Sequence, residues 1–78
     1  MKLIITEKAV MKIELDNTLT FETSKIKSKD EIKKEVEEIF KVKVDKVRTQ
    51  VRDNKKYAYV QLNKANPAID IATTMGVI

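Results

Sequence analysis

The chain contains no cysteine, no histidine and no tryptophan, and it has one glycine, Gly76, and one proline, Pro67. Without cysteine there are no disulfides, as expected of a reducing compartment. Without cysteine and histidine, the usual zinc sites and most nucleophile–base pairs are excluded. A single glycine cannot build a Gly-rich phosphate loop. Apolar runs are short, as in Leu3-Ile4-Ile5, so the sequence offers no membrane span and no signal peptide. Carboxylates remain as the only catalytic material. Glu35, Glu37 and Glu38 stand on a Lys-rich helical stretch with no second group poised beside them. They are expected to be a solvated helix face.

What the chain does have is charge. It carries 16 basic and 12 acidic residues in 78, a net +4. Residues 1–40 hold eight Lys against nine Asp or Glu; residues 41–78 hold eight Lys or Arg against three Asp. The halves are therefore −1 and +5. A basic half points to an anionic partner such as RNA, DNA or a lipid surface. Apolar residues at 42% and charged residues at 36% fit a folded, soluble globular domain, and the length suits one domain with a small core.

The basic half is dominated by Val42–Leu62, VKVDKVRTQVRDNKKYAYVQL. It reads as a β-hairpin about Asp53-Asn54, residues that tolerate the positive φ of a two-residue turn. Setting Arg52 opposite Lys55 fixes the register: Val47 faces Val60, Thr49 faces Ala58, Arg48 faces Tyr59 and Gln50 faces Tyr57. Side chains alternate along a strand, so one face is apolar. The other carries Lys46, Arg48, Gln50, Arg52, Lys55, Tyr57, Tyr59 and Gln61. Val42 and Val44 have the wrong parity for Val47, which predicts a bulge near Asp45-Lys46.

Around the hairpin the chain alternates strand and helix. Lys2–Ile5 reads as an edge strand. Thr6 is a predicted N-cap for a helix over about Glu7–Glu14, with Ala9, Val10 and Ile13 on one side and Asp16-Asn17 ending it. Thr18–Ser24 alternates as a strand, with Leu19 and Phe21 on one face. Lys25-Ile26-Lys27 connects. Ser28 and Glu31 form a capping box for a helix to Phe40, whose stripe of Ile32, Val36, Ile39 and Phe40 would cover the hairpin. Asn66-Pro67 reads as N-cap and first residue of a last helix bearing Ala68, Ile69, Ile71, Ala72 and Met75, capped by Gly76. The order β-α-β-α-β-β-α predicts an α+β sandwich of ferredoxin-like type, helices on a mainly antiparallel four-stranded sheet.

Arg and Lys meet phosphates, and Tyr can stack on a base. Arg48, Gln50, Arg52, Lys55, Lys56, Tyr57 and Tyr59 are therefore the leading RNA-binding candidates. Lys25, Lys27, Lys29 and Lys33 form a second basic cluster at the start of the long helix. Lys8, about 100° around the first helix from Glu7, is a further candidate for the RNA side.

An ordered set of fragments runs through almost the whole chain: Thr6-Glu7-Lys8-Ala9, Asp16-Asn17-Thr18-Leu19-Thr20, Lys29-Asp30-Glu31-Ile32-Lys33, Val36-Glu37, Ile39-Phe40, Val42-Lys43-Val44, Val47, Lys56, Ala58-Tyr59-Val60-Gln61-Leu62, Ile71-Ala72 and Met75-Gly76-Val77-Ile78. In these the chain resembles the ribosomal protein L23 family of the large subunit, in its short archaeal form. The two-residue turn is unlike the long hairpin loop of the bacterial form, and the lack of a basic N-terminal extension favours the archaeal one. The resemblance implies binding of large-subunit rRNA near the polypeptide exit tunnel, no cofactor, and a cytoplasmic, ribosomal location. It implies ribosomal protein L29 as a neighbour. It further implies docking of the signal recognition particle, nascent-chain chaperones and the translocation channel, with Glu7 as the docking acid. The alternatives are a small ferredoxin-like regulatory or protein-interaction domain, and an acylphosphatase-like enzyme. The last would need an Arg-bearing phosphate loop near the first strand, and there is none.

Overall fold

The structure, a computed structural model, describes residues 2–24 and 27–76. Its elements are β1 (Lys2–Leu3), α1 (Glu7–Asp16), β2 (Thr18–Thr23), α2 (Lys29–Phe40), β3 (Val44–Arg52), β4 (Lys55–Leu62) and α3 (Ala68–Thr74). The strands form a four-stranded antiparallel sheet in the order β1-β2-β4-β3. Among the described residues no helix is long and apolar enough to cross a membrane.

The hairpin has the expected register, from Arg52↔Lys55 through Arg48↔Tyr59 to Val47↔Val60. Asp53 and Asn54 have φ of 52° and 63°, the consecutive positive values of a type I′ turn. The pairing jumps from Lys46↔Gln61 to Val44↔Leu62, so Asp45 is the bulged residue. Asp45 Oδ1 accepts a bond of 3.1 Å from Asn63 Nδ2. The bulge returns Val44 to the apolar side, where it is buried.

That side is closed by α2. Ser28 Oγ accepts from the Glu31 N–H at 3.2 Å, as a capping box requires. Ile32 and Val36 are fully buried with Leu19, Phe21, Ala58 and Val60. Phe40 stacks on Phe21, ring centroids 6.2 Å apart. Ile39 departs from the expected stripe and is 59% exposed. One inward position is left in the last turn and Phe40 takes it, so Ile39 is held at the rim of a shallow groove with Pro67 and Ile71. Glu35 and Glu37 are likewise not plain solvated acids. Glu35 pairs with Lys27, and Glu37 Oε2 accepts the Val44 N–H at 3.1 Å.

The remaining helices are fixed by Asn17. This residue caps α1 in the left-handed conformation, φ 51°. Its Nδ2 donates to the carbonyls of Leu62, Asn63 and Asn66, each at 3.2 Å, and its Oδ1 accepts the Ala68 N–H at 2.6 Å. The N-terminus of α3 is thus capped from 51 residues away. Asn66 is not the cap, because its Oδ1 is occupied by the Lys43 N–H at 2.8 Å. The helix begins after Pro67, with Ala68, Ile71 and Ala72 buried and Ile69 outside. Gly76 follows the C-cap Met75 at φ 74°, where a side chain would be strained.

Candidate nucleic-acid interface

The second face of the sheet is not open along its length. Thr18 and Thr20 of β2, opposite Gln61 and Tyr59, are buried at 2% and 6% exposure. They are covered by α1, whose Ala9 lines one recess together with Thr20 and Tyr59. Thr6 starts the helix there, its Oγ1 accepting the Ala9 N–H at 3.1 Å. This placement turns a flat basic surface into a groove, with α1 as one wall and the hairpin as the other.

Alternation along β3 and β4 puts Arg48, Gln50, Arg52, Lys55, Tyr57 and Tyr59 on the groove side. Lys12 of α1 holds its ammonium 5.4 Å from the Tyr59 ring centroid, and the Arg52 guanidinium lies 5.7 Å from that of Tyr57. Cations at such distances are attracted to the ring's negative face. The Tyr59 hydroxyl donates to Gln50 Oε1 at 3.0 Å. Two adjoining recesses, about 330 and 500 Å³, share Lys8, Lys12, Arg52 and Tyr59 in their linings. Asp53 is the acid among these lining residues. Glu22 lies nearby, but its carboxylate meets Lys55 Nζ at 3.5 Å. The groove therefore keeps a positive excess.

The expected candidates divide. Lys8 joins the hairpin residues in the groove. Lys56 does not: it pairs with Thr23 and Val51 on the opposite parity and donates to the Lys27 carbonyl. Lys27 is half-buried and ion-paired with Glu35. Lys29 and Lys33 are exposed on α2, the helix that closes the other face. Lys25 lies outside the described residues. Glu7 is exposed and absent from the groove lining, while Lys8 is in it. Lys12, not among the residues expected from the sequence, also lines the groove. Its signal was the spacing of four from Lys8, which puts both on one helix face.

The α+β architecture, with a basic groove floored by tyrosines, defines the chain first as a small domain with one strongly cationic face. The family model described as ribosomal protein L23 matches residues 1–69. Over 78 residues, 99% of this chain, it is 40% identical to the large ribosomal subunit protein uL23 of Caldivirga maquilingensis, covering 91% of that protein. The uL23 of Methanothermobacter thermautotrophicus gives the same values. That of Trypanosoma brucei brucei is 42% identical over 76 residues, but this chain spans only 46% of its length. The chain belongs to the ribosomal protein L23 family, and it matches the archaeal members across nearly their whole length.

Proposed function

We propose that the protein is a structural constituent of the large ribosomal subunit, a single RNA-binding domain held on large-subunit rRNA beside the polypeptide exit tunnel. It would reside in the cytoplasm on the ribosome, next to ribosomal protein L29. The observation that carries the reading is the convergence of Lys8, Lys12, Arg48 and Arg52 on the same groove as Tyr57 and Tyr59. Exposed cations beside aromatic rings meet the two needs of RNA binding, phosphate neutralisation and contact with bases. Membership of the ribosomal protein L23 family supports large-subunit rRNA as that RNA. The surface away from the groove, including Glu7, would receive the signal recognition particle, nascent-chain chaperones and the translocation channel.

The test is co-sedimentation with large subunits together with binding to a large-subunit rRNA transcript at graded salt. Each lost phosphate contact lowers the slope of log affinity against log salt by about 0.7–0.9. Reversing Arg48 and Arg52 to Glu should weaken binding and flatten that slope by about 1.4–1.8. Unchanged affinity in a folded double variant would remove this face from the RNA contact.

A further inference from the structure

The smaller recess, about 330 Å³, is at the lower limit for small-molecule pockets. It has room for a base and its sugar but not for a duplex. A surface that only neutralised phosphates would have no use for such a hollow. Its wall includes Thr20, whose Oγ1 is buried and has no partner among the described residues. A buried hydroxyl left unpaired is unfavourable, and a ligand whose entry shifts the wall enough to reach it removes the cost. Tyr57 and Tyr59 are alternate residues on one strand face, so their backbones stand about 6.8 Å apart. Each ring has a cation over it, Arg52 on Tyr57 and Lys12 on Tyr59.

We propose that this recess takes one unpaired nucleotide of the large-subunit rRNA. Its base takes the ring faces of Tyr57 and Tyr59 that Arg52 and Lys12 cover in the free protein, with an edge toward Thr20 and Asp53, and the two cations turn with Lys8 to its flanking phosphates. The proposal rests on the RNA-binding reading above and adds what part of the RNA the groove selects. An unpaired base exposes both its π-face and its hydrogen-bonding edge, which paired bases in an A-form helix do not offer to side chains. The Thr20 hydroxyl can donate or accept and discriminates little. The Asp53 carboxylate only accepts, so it favours a base edge that donates: the exocyclic amine of adenine or cytosine, or the N1–H and amine of guanine, and it disfavours uracil's carbonyls.

The experiment uses the full chain and a large-subunit rRNA transcript of Methanothermobacter thermautotrophicus. Dimethyl sulfate reads the edges of unpaired adenines and cytosines, kethoxal reads those of unpaired guanines, and hydroxyl radicals read the backbone. The expected result is one unpaired adenine, cytosine or guanine shielded at its edge, inside a larger backbone footprint. Tyr57→Leu and Tyr59→Leu should lose that edge protection, and each should weaken binding about 5- to 150-fold, the range for a lost base–tyrosine stack. Thr20→Val keeps the volume and should reduce edge protection while the backbone footprint stays, and it decides the matter if the tyrosine variants do not fold. Millimolar AMP should not displace the RNA. A backbone footprint without a shielded base, protection that survives Thr20→Val and the folded tyrosine variants, or displacement by AMP would each overturn the proposal. Absence of any footprint would instead overturn the RNA-binding reading, and this proposal with it.

Discussion

Replacing Asn17 tests whether one side chain joins three elements. The substitution Asn17→Ala removes both amide hydrogens, which serve the carbonyls of Leu62, Asn63 and Asn66, and the oxygen that caps α3 at Ala68. Loss of a helix cap costs about 1 kcal/mol. Each of the two N–H donors contributes about 1 kcal/mol net. Holding alanine at a left-handed position, φ 51° here, costs a further 1–2 kcal/mol or so. The total is roughly 3–5 kcal/mol, allowing for non-additivity among bonds of one side chain. A 78-residue domain has on the order of 4–12 kcal/mol in all. Asn17→Ala should therefore leave the protein marginal at best, with a melting temperature lower by about 12 °C or more. Asn17→Gly keeps the backbone geometry and should recover about 1 kcal/mol of the loss. Urea unfolding followed by far-UV circular dichroism gives both values. If Asn17→Gly is as stable as the parent within about 0.5 kcal/mol, the range of an ordinary surface change, the clamp has no energetic role.

Ile32→Ala, at a fully buried site, should cost about 2–5 kcal/mol by chemical denaturation, whereas Ile39→Ala should cost well under 1 kcal/mol or so because that side chain is already in water. Equal losses at the two positions would contradict the packing described for α2. Thr20→Val should stabilise the free protein by about 1 kcal/mol, since it removes a buried hydroxyl that lacks a partner; a lower melting temperature would mean that the hydroxyl is satisfied in solution. Glu7→Lys should leave incorporation into subunits intact, because an exposed first-turn charge is worth only about 0.3–1 kcal/mol. It should reduce capture of the signal recognition particle by rebuilt subunits, and undiminished capture would leave Glu7 a helix-capping acid alone.

The hairpin was legible in the sequence because strand parity and turn chemistry are local. Asp53-Asn54 fixes the turn, and the turn fixes every pair up to the bulge at Asp45. The capping box at Ser28 and Glu31 was legible for the same reason. Which face of the sheet α1 would cover was not. Ala9 and Ile13 are an apolar side that suits either face, and Thr18 and Thr20 look like solvent positions until a helix is laid on them. Without that placement Lys12 could not be assigned to the groove. The Asn17 clamp was hidden by sequence distance, since its partners lie 45 to 51 residues on. Lys27 and Lys56 counted as free cations only while Glu35 and the Lys27 carbonyl were unplaced. Charge clusters are easily counted in a sequence; which charges are already engaged depends on tertiary neighbours.

The strand order leaves β3 on the outside of the sheet, nine residues with one row of backbone donors and acceptors unclaimed by a neighbouring strand. A strand of that length is a template on which a second chain could polymerise. Here the template is guarded by its own side chains. The Asp45 bulge bends one end, and in an antiparallel self-pairing centred on Thr49 Lys46 would stand opposite Arg52 of the other copy, like charge against like. Arg48 and Arg52, proposed above as RNA contacts, would thus also guard this edge in the free protein. Their protection is electrostatic and falls with salt. High salt is therefore the condition in which this edge should be most open to self-pairing.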